Sequence, residues 1–148
     1  MVVESYSGFA QRYNMIIGVL ICALLTSILF LIMPFFGLFI VADVFLVVGC
    51  CIGLYFTFKN RKELQSHIEM GIVVGFVGSF FSLLLITFFN WIFYSTVLGF
   101  NIISLFIDIL IVFANYGIIY IIVGIILGYL FGNRYRKREA VKTDYPLF

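Results

Sequence analysis

Charged side chains are scarce in this chain, 11% of 148 residues against 64% that are hydrophobic. A soluble domain of that length cannot hide so much apolar side chain from water. A water-soluble globular fold is therefore excluded, and a membrane protein is expected. Histidine is scarcer still. His67 is the only one, which excludes a bis-histidine haem within the chain. Beside Glu63 and Glu69 it reads as a polar loop residue. The three cysteines, Cys22, Cys50 and Cys51, supply neither a disulfide framework nor metal-ligand spacing. All three fall inside predicted helices and read as small packing residues. Serine and threonine in those helices lack a neighbouring base, so neither nucleophilic catalysis nor a bound cofactor is expected.

What charge there is lies in clusters. The nine bases, Arg12, Lys59, Arg61, Lys62, Arg134, Arg136, Lys137, Arg138 and Lys142, occupy three short polar stretches. Between them run two blocks, 13–58 and 70–133, each with one charged residue, Asp43 and Asp108. Lysine and arginine in short loops stay cytoplasmic, so each block begins and ends inside and crosses an even number of times. A helix needs about 20 residues to span roughly 30 Å of hydrocarbon. The first block fits two helices and a tight turn, and the second holds two with about 20 residues to spare.

The expected fold class is thus an all-α integral membrane protein, a four-transmembrane-helix bundle. Residues 1–14 form a cytoplasmic N-terminus, 15–131 the transmembrane domain, and 132–148 a basic cytoplasmic tail, with the plasma membrane as the expected location. The first span lacks the small-residue cleavage pattern of a secretory signal, and the lipidation sequences are missing at both ends. The tail ends in YPLF, which has the form of a tyrosine sorting signal but reads as an ordinary terminus. Lys59, Arg61, Lys62, Arg134, Arg136, Lys137 and Arg138 make collars that favour anionic lipid headgroups. With no binding fold behind them, nucleic acid is not an expected partner.

The first helix is expected over Met15–Met33, stopped by Pro34, and the second over Leu38–Phe58. The third is expected over Ile68–Phe89, with Asn90, Trp91 and Tyr94 at the outer interface. The fourth ends at Phe131. Its start is ambiguous, because Asn101 to Phe131 is 31 residues, too long for an upright span. One reading is a tilted, protruding last helix. The favoured one is a separate interfacial element over roughly 92–111, since Asn101, Ser104, Asp108 and Asn115 fall at i, i+3, i+7 and i+14 and make one polar stripe.

VGCCIGLYFTFKNRK at 48–62 resembles VGIILGYLFGNRYRK at 123–137. The two match at Val48/Val123, Gly49/Gly124, Gly53/Gly128, Phe56/Phe131, Arg61/Arg136 and Lys62/Lys137. Both helices run from outside to inside, so two repeated hairpins are one reading and chance similarity of apolar helices the other.

Glycine costs about 1 kcal/mol against alanine in a water-exposed helix, so glycines at helical spacing imply a gain elsewhere. In lipid that gain is close approach of backbones. Small residues mark a contact stripe on each helix: Gly18, Cys22 and Thr26; Gly49, Gly53 and Thr57; Gly71, Gly75, Gly78 or Ser79, and Ser82; and Gly117, Gly124, Gly128 and Gly132. Those stripes pack within one monomer or face a second copy or another membrane subunit.

The function expected from these residues is that of a non-enzymatic small polytopic protein, a structural or accessory subunit held by glycine-mediated helix packing. The alternative is a small oligomeric channel or transporter protomer. Asp43, Asn90, Asn101, Asp108 and Asn115 would then line the route, because a carboxylate in hydrocarbon is costly unless it is used. Asp43 also reads as a helix N-cap beside the outer turn.

The topology is open to test. In a chain freed of its own cysteines, Glu63→Cys and Lys142→Cys are expected to react with a membrane-impermeant maleimide only from the cytoplasmic side. Labelling of either from outside intact cells would overturn the even-crossing arrangement.

Overall fold

Away from water, a long apolar run without internal proline has one local way to pair its N–H and C=O groups, and that is helix. The chain has only two prolines, Pro34 and Pro146. The computed structural model describes the backbone of residues 2–32, 42–59, 67–99 and 101–144, and side chains over 13–32, 44–59, 67–99 and 101–137. Apart from Gly99 and Asn101, every described residue is helical.

The elements are α1 (Val2–Ile32), α2 (Ala42–Lys59), α3 (His67–Leu98), α4 (Ile102–Val112), a π turn (Phe113–Gly117) and α5 (Ile118–Asp144). Three stretches are long and apolar enough to cross a membrane, namely Tyr13–Ile32, His67–Leu98 and Ile102–Lys137. α2 carries a shorter apolar stretch, Val44–Lys59.

Several boundaries differ from those the sequence suggested. α1 begins at Val2 instead of Met15, because nothing in the polar leader stops a helix once it has nucleated and each added residue adds a bond. α5 runs past Phe131 to Asp144, through a basic stretch rich in good helix formers. α3 continues beyond Phe89 to Leu98. It ends at Gly99, whose φ of +71° is the left-handed conformation that glycine adopts without a side-chain clash. The Gly99 N–H closes the end by donating to the Ser95 carbonyl at 3.1 Å.

The stretch 92–111 is therefore divided. Its first part completes α3 and its last part opens α4. α4 passes into α5 with right-handed helical angles at Val112, Phe113 and Ile118, so no turn separates an interfacial element from the last helix. Within the π turn Asn115 Nδ2 donates to the Ile111 carbonyl at 2.9 Å, which supplies a donor where the backbone ladder widens.

α3 packs most extensively on α5, and α1 on α2. α2 and α3 also touch each other, and each reaches the other's partner. Two apolar clusters fill the bundle. One joins Cys22, Leu46, Cys50, Leu83 and Tyr120, and the other joins Leu54, Phe58, Met70 and Val74. The first of these holds two thiols among its aliphatic and aromatic side chains.

The glycines sit where the helices cross. A Cβ on Gly53 would lie 2.9 Å from the Cys22 Cβ, and one on Gly75 would lie 2.8 Å from the Gly124 carbonyl carbon. Gly18 faces Thr57, Gly49 faces Thr26 and Cys22, and Gly71 faces Gly128. Gly132 packs on the backbone of His67 and Ile68, and Gly78 on the Cys22 side chain. The two crossings share a register. Gly18, Cys22 and Thr26 on α1 stand in the places of Gly71, Gly75 and Ser79 on α3, each 53 residues on. Gly49 and Gly53 on α2 likewise answer to Gly124 and Gly128 on α5, each 75 residues on.

Because Gly75 meets backbone rather than a movable side chain, Gly75→Ala is expected to destabilise the bundle by about 1–3 kcal/mol. Phe76→Ala, at an exposed position, is expected to change it much less. Reversible unfolding in mixed micelles measures both, and equal effects would show that the crossing is not tight.

Candidate functional site: a buried thiol and hydroxyl cluster

The side chains that α1, α2 and α3 bring together at mid-length are small and sulfur- or oxygen-bearing. Cys22 and Thr26 lie one turn apart on α1, Cys50 faces them from α2, and Ser79 and Ser82 approach from α3. All five are at most 1% exposed. The Cys22 and Cys50 sulfurs lie 2.8 Å apart, and Cys50 Sγ is 3.6 Å from Ser79 Oγ. Both cysteines are free thiols. A long contact of 3.5 Å joins Thr26 Oγ1 to the Phe45 carbonyl across α1 and α2.

Most buried hydroxyls are satisfied on their own helix. Ser27, Thr57, Ser82 and Thr87 each donate to the carbonyl four residues earlier, at 2.7, 2.9, 2.8 and 2.8 Å. Pairing within the helix lets a polar side chain stay in a dry core. The cluster can thus hold thiols and hydroxyls without water.

Spacing along the sequence did not reveal this convergence. It put Cys22, Thr26, Ser79 and Ser82 on small-residue stripes, but nothing in it sets the three stripes at one level. The common register of the two crossings is what aligns them.

Among the polar residues singled out as a possible route, Asn101, Asp108 and Asn115 run from the N-cap of α4 to the π turn. Asn101 is the exposed N-cap of α4, its Oδ1 accepting from the N–H groups of Ile103 and Ser104, both at 3.1 Å. Ser104 Oγ donates to the Asn101 carbonyl at 2.6 Å. Trp91 Nε1 reaches that carbonyl at 3.2 Å and Ser104 Oγ at 3.1 Å, which ties the end of α3 to the start of α4. Asn90 and Asp108 are half-buried, on α3 and α4. Asn115 is exposed in the π turn. Asp43 falls in the first turn of α2, and its side chain lies outside the described residues.

At the other end, His67 is not a loop residue. It opens α3, is buried, and stacks on Phe58 with ring centroids 6.3 Å apart. Tyr135 of α5 stacks on the same Phe58 at 4.8 Å. This seam closes α2, α3 and α5 together. The wedge of Gly132 against the His67 backbone brings the histidine in.

Lys59 ends α2, exposed, its Nζ 5.9 Å from the ring centres of Tyr55 and Phe56. Arg134, Arg136 and Lys137 are exposed along α5. Arg61 and Lys62 lie outside the described residues, as does the side chain of Arg138. Among the described residues, no three histidine, cysteine, aspartate or glutamate side chains converge as a metal site would require.

Compared with protein-family models, curated proteins and solved structures, the chain matches none of them.

Asn101→Ala removes both side-chain caps of α4, an expected loss of about 1 kcal/mol of local stability. Amide exchange at Ile103 and Ser104 should then speed up about fivefold. Asp108→Asn, which touches neither cap, should leave it unchanged. Unaltered exchange in Asn101→Ala would show that the Trp91 bracket alone holds the turn.

Proposed function

We propose that this protein is a non-enzymatic integral membrane protein, a structural or accessory subunit whose four helices are locked by their own glycine contacts and whose α4 seats against the helices of another membrane subunit. Burial on α1 supports the membrane location. Its exposed positions include Tyr13, Ile16, Leu20, Leu24, Ile28 and Ile32, while Gly18, Cys22, Ala23, Thr26 and Ser27 are buried. Large apolar groups outside and small or polar groups inside reverse the pattern of a helix in water. Lipid is the solvent that suits such a surface. Lys59 and the exposed bases of α5 suit anionic headgroups at the inner face, which supports a cytoplasmic side for both termini.

The observation that carries the subunit reading is α4. None of its residues is buried; Ile102, Ile103, Phe106 and Leu110 are all at least 63% exposed. The apolar helix that contains it runs 36 residues, Ile102–Lys137, about 54 Å at 1.5 Å per residue. Hydrocarbon about 30 Å thick covers little more than half of that length. Lipid tails alone therefore leave much of α4 uncovered, and its Ile, Leu and Phe surface suits protein helices. The glycines of the two crossings already face neighbours in the same chain, so the outward contact falls to α4 instead.

The shared register of the two crossings supports reading α1–α2 and α3–α5 as one hairpin repeated. No observation favours the channel alternative, since Asn101, Asp108 and Asn115 are strung along one helix.

Two measurements test the subunit reading together. Native mass spectrometry of protein released mildly from its own membranes is expected to show a different polypeptide in fixed stoichiometry. A photo-crosslinking residue at Phe106 or Leu110 is expected to capture that same polypeptide, and one at Leu20 or Leu24 is not. Copies of this chain alone, with no crosslink from α4 to another protein, would overturn it.

A further inference from the structure

We propose that Cys22 and Cys50 are a modification site, a reversible disulfide that staples α1 to α2 midway along the bundle. The two sulfurs lie 2.8 Å apart, closer than unbonded sulfur atoms normally rest. The backbones around them are equally near. A Cβ on Gly49 would lie 3.0 Å from the Cys22 carbonyl oxygen, and one on Gly53 2.9 Å from the Cys22 Cβ. A disulfide needs Cα atoms about 4.4–6.8 Å apart, a spacing in keeping with helices that cross this tightly. The glycines on either side of Cys50 are what bring its helix close enough.

The remaining surroundings fit a pair that reacts only with itself. Both thiols are 1% exposed, out of reach of bulky water-borne thiol reagents. Cys51 points elsewhere and is only half-buried, so it is not the partner. Cys50 also rests on Ser79 at 3.6 Å; oxidation replaces part of that α2–α3 contact with a covalent α1–α2 link. The bond closes a loop between positions 28 residues apart, which includes the connection between the two helices. Fixing such a loop limits how far the hairpin can open.

The reaction balances with one co-reactant, an oxidant that dissolves in hydrocarbon, of which dioxygen is the simplest. Two S–H bonds break and one S–S bond forms. Two electrons and two protons pass to dioxygen, which leaves as hydrogen peroxide. A dithiol reductant reverses the link by thiol–disulfide exchange once the hairpin opens.

The test uses the full chain in lipid nanodiscs, either kept in a phosphine reductant or exposed to air with copper phenanthroline. Each sample is then denatured and alkylated with N-ethylmaleimide. The reduced sample is expected to take up three maleimides. The oxidised sample is expected to take up one, on Cys51, and to yield a Cys22–Cys50 peptide lighter by two hydrogen atoms. Cys51→Ser should keep the linked peptide, and Cys50→Ser should lose it. Three maleimides after oxidation, or a link made through Cys51, would overturn the proposal. The wild-type comparison decides the matter even if a variant fails to fold.

Discussion

Everything in this bundle depends on how near its helices come at the glycine crossings. In the proposed lipid setting there is no hydrophobic drive for one apolar helix to leave lipid for another, so contact would come from close packing of backbone on backbone. At Gly71 with Gly128 and at Gly75 with Gly124, carbonyl groups fill the space a side chain would occupy. On α1 and α2 the same office falls to Gly18, Gly49 and Gly53, with Thr26, Thr57 and Cys22 as the opposing groups. Once these crossings set the spacing, the larger residues have one way to interleave. Leu54 and Val74, both 0% exposed, pack in one cluster with Phe58 and Met70.

Close approach also explains why the core tolerates so many polar atoms. Small residues let helices meet, and serine, threonine and cysteine are small. Ser27, Thr57, Ser82 and Thr87 fold their hydroxyls back onto carbonyls of their own helices, which pairs them in the dry interior. The outcome is a middle layer of thiols and hydroxyls bounded by leucine and aromatic rings. Cys22 and Cys50 touch there because Gly49 and Gly53 flank the second thiol on the crossing face.

Length is the second constraint. α3 at 32 residues and the Ile102–Lys137 stretch at 36 outrun the 18 of α2. The excess gathers at one end, where Gly99 and Asn101 turn the chain and Trp91 brackets the turn. That leaves α4 packed on α3 with its other faces bare. A helix so apolar and so little covered by its own chain is the ground for the proposed subunit contact. The polar stripe on α4 serves the turn at one end and the π turn at the other, and only Asp108 has no such duty.

Much of this was legible in the residues alone. Composition pointed to a helical membrane protein, and the fold is helical, with three stretches long and apolar enough to cross a membrane. The glycine spacing pointed to close-packing faces, because a residue with no side chain lets backbones approach, and in the fold Gly71 lies against Gly128 and Gly75 against Gly124. The turn at Gly99 and Asn101 was readable too, as a glycine stop followed by an asparagine cap, but helical period on both sides masked it. Tertiary structure alone decided that the stripes of α1, α2 and α3 come to one level, that His67 packs against Phe58, and that α4 joins α5 without a turn. Spacing along a chain orders residues around one helix. The height at which two helices cross is set by the pairing of surfaces far apart in sequence, and periodicity carries no record of it.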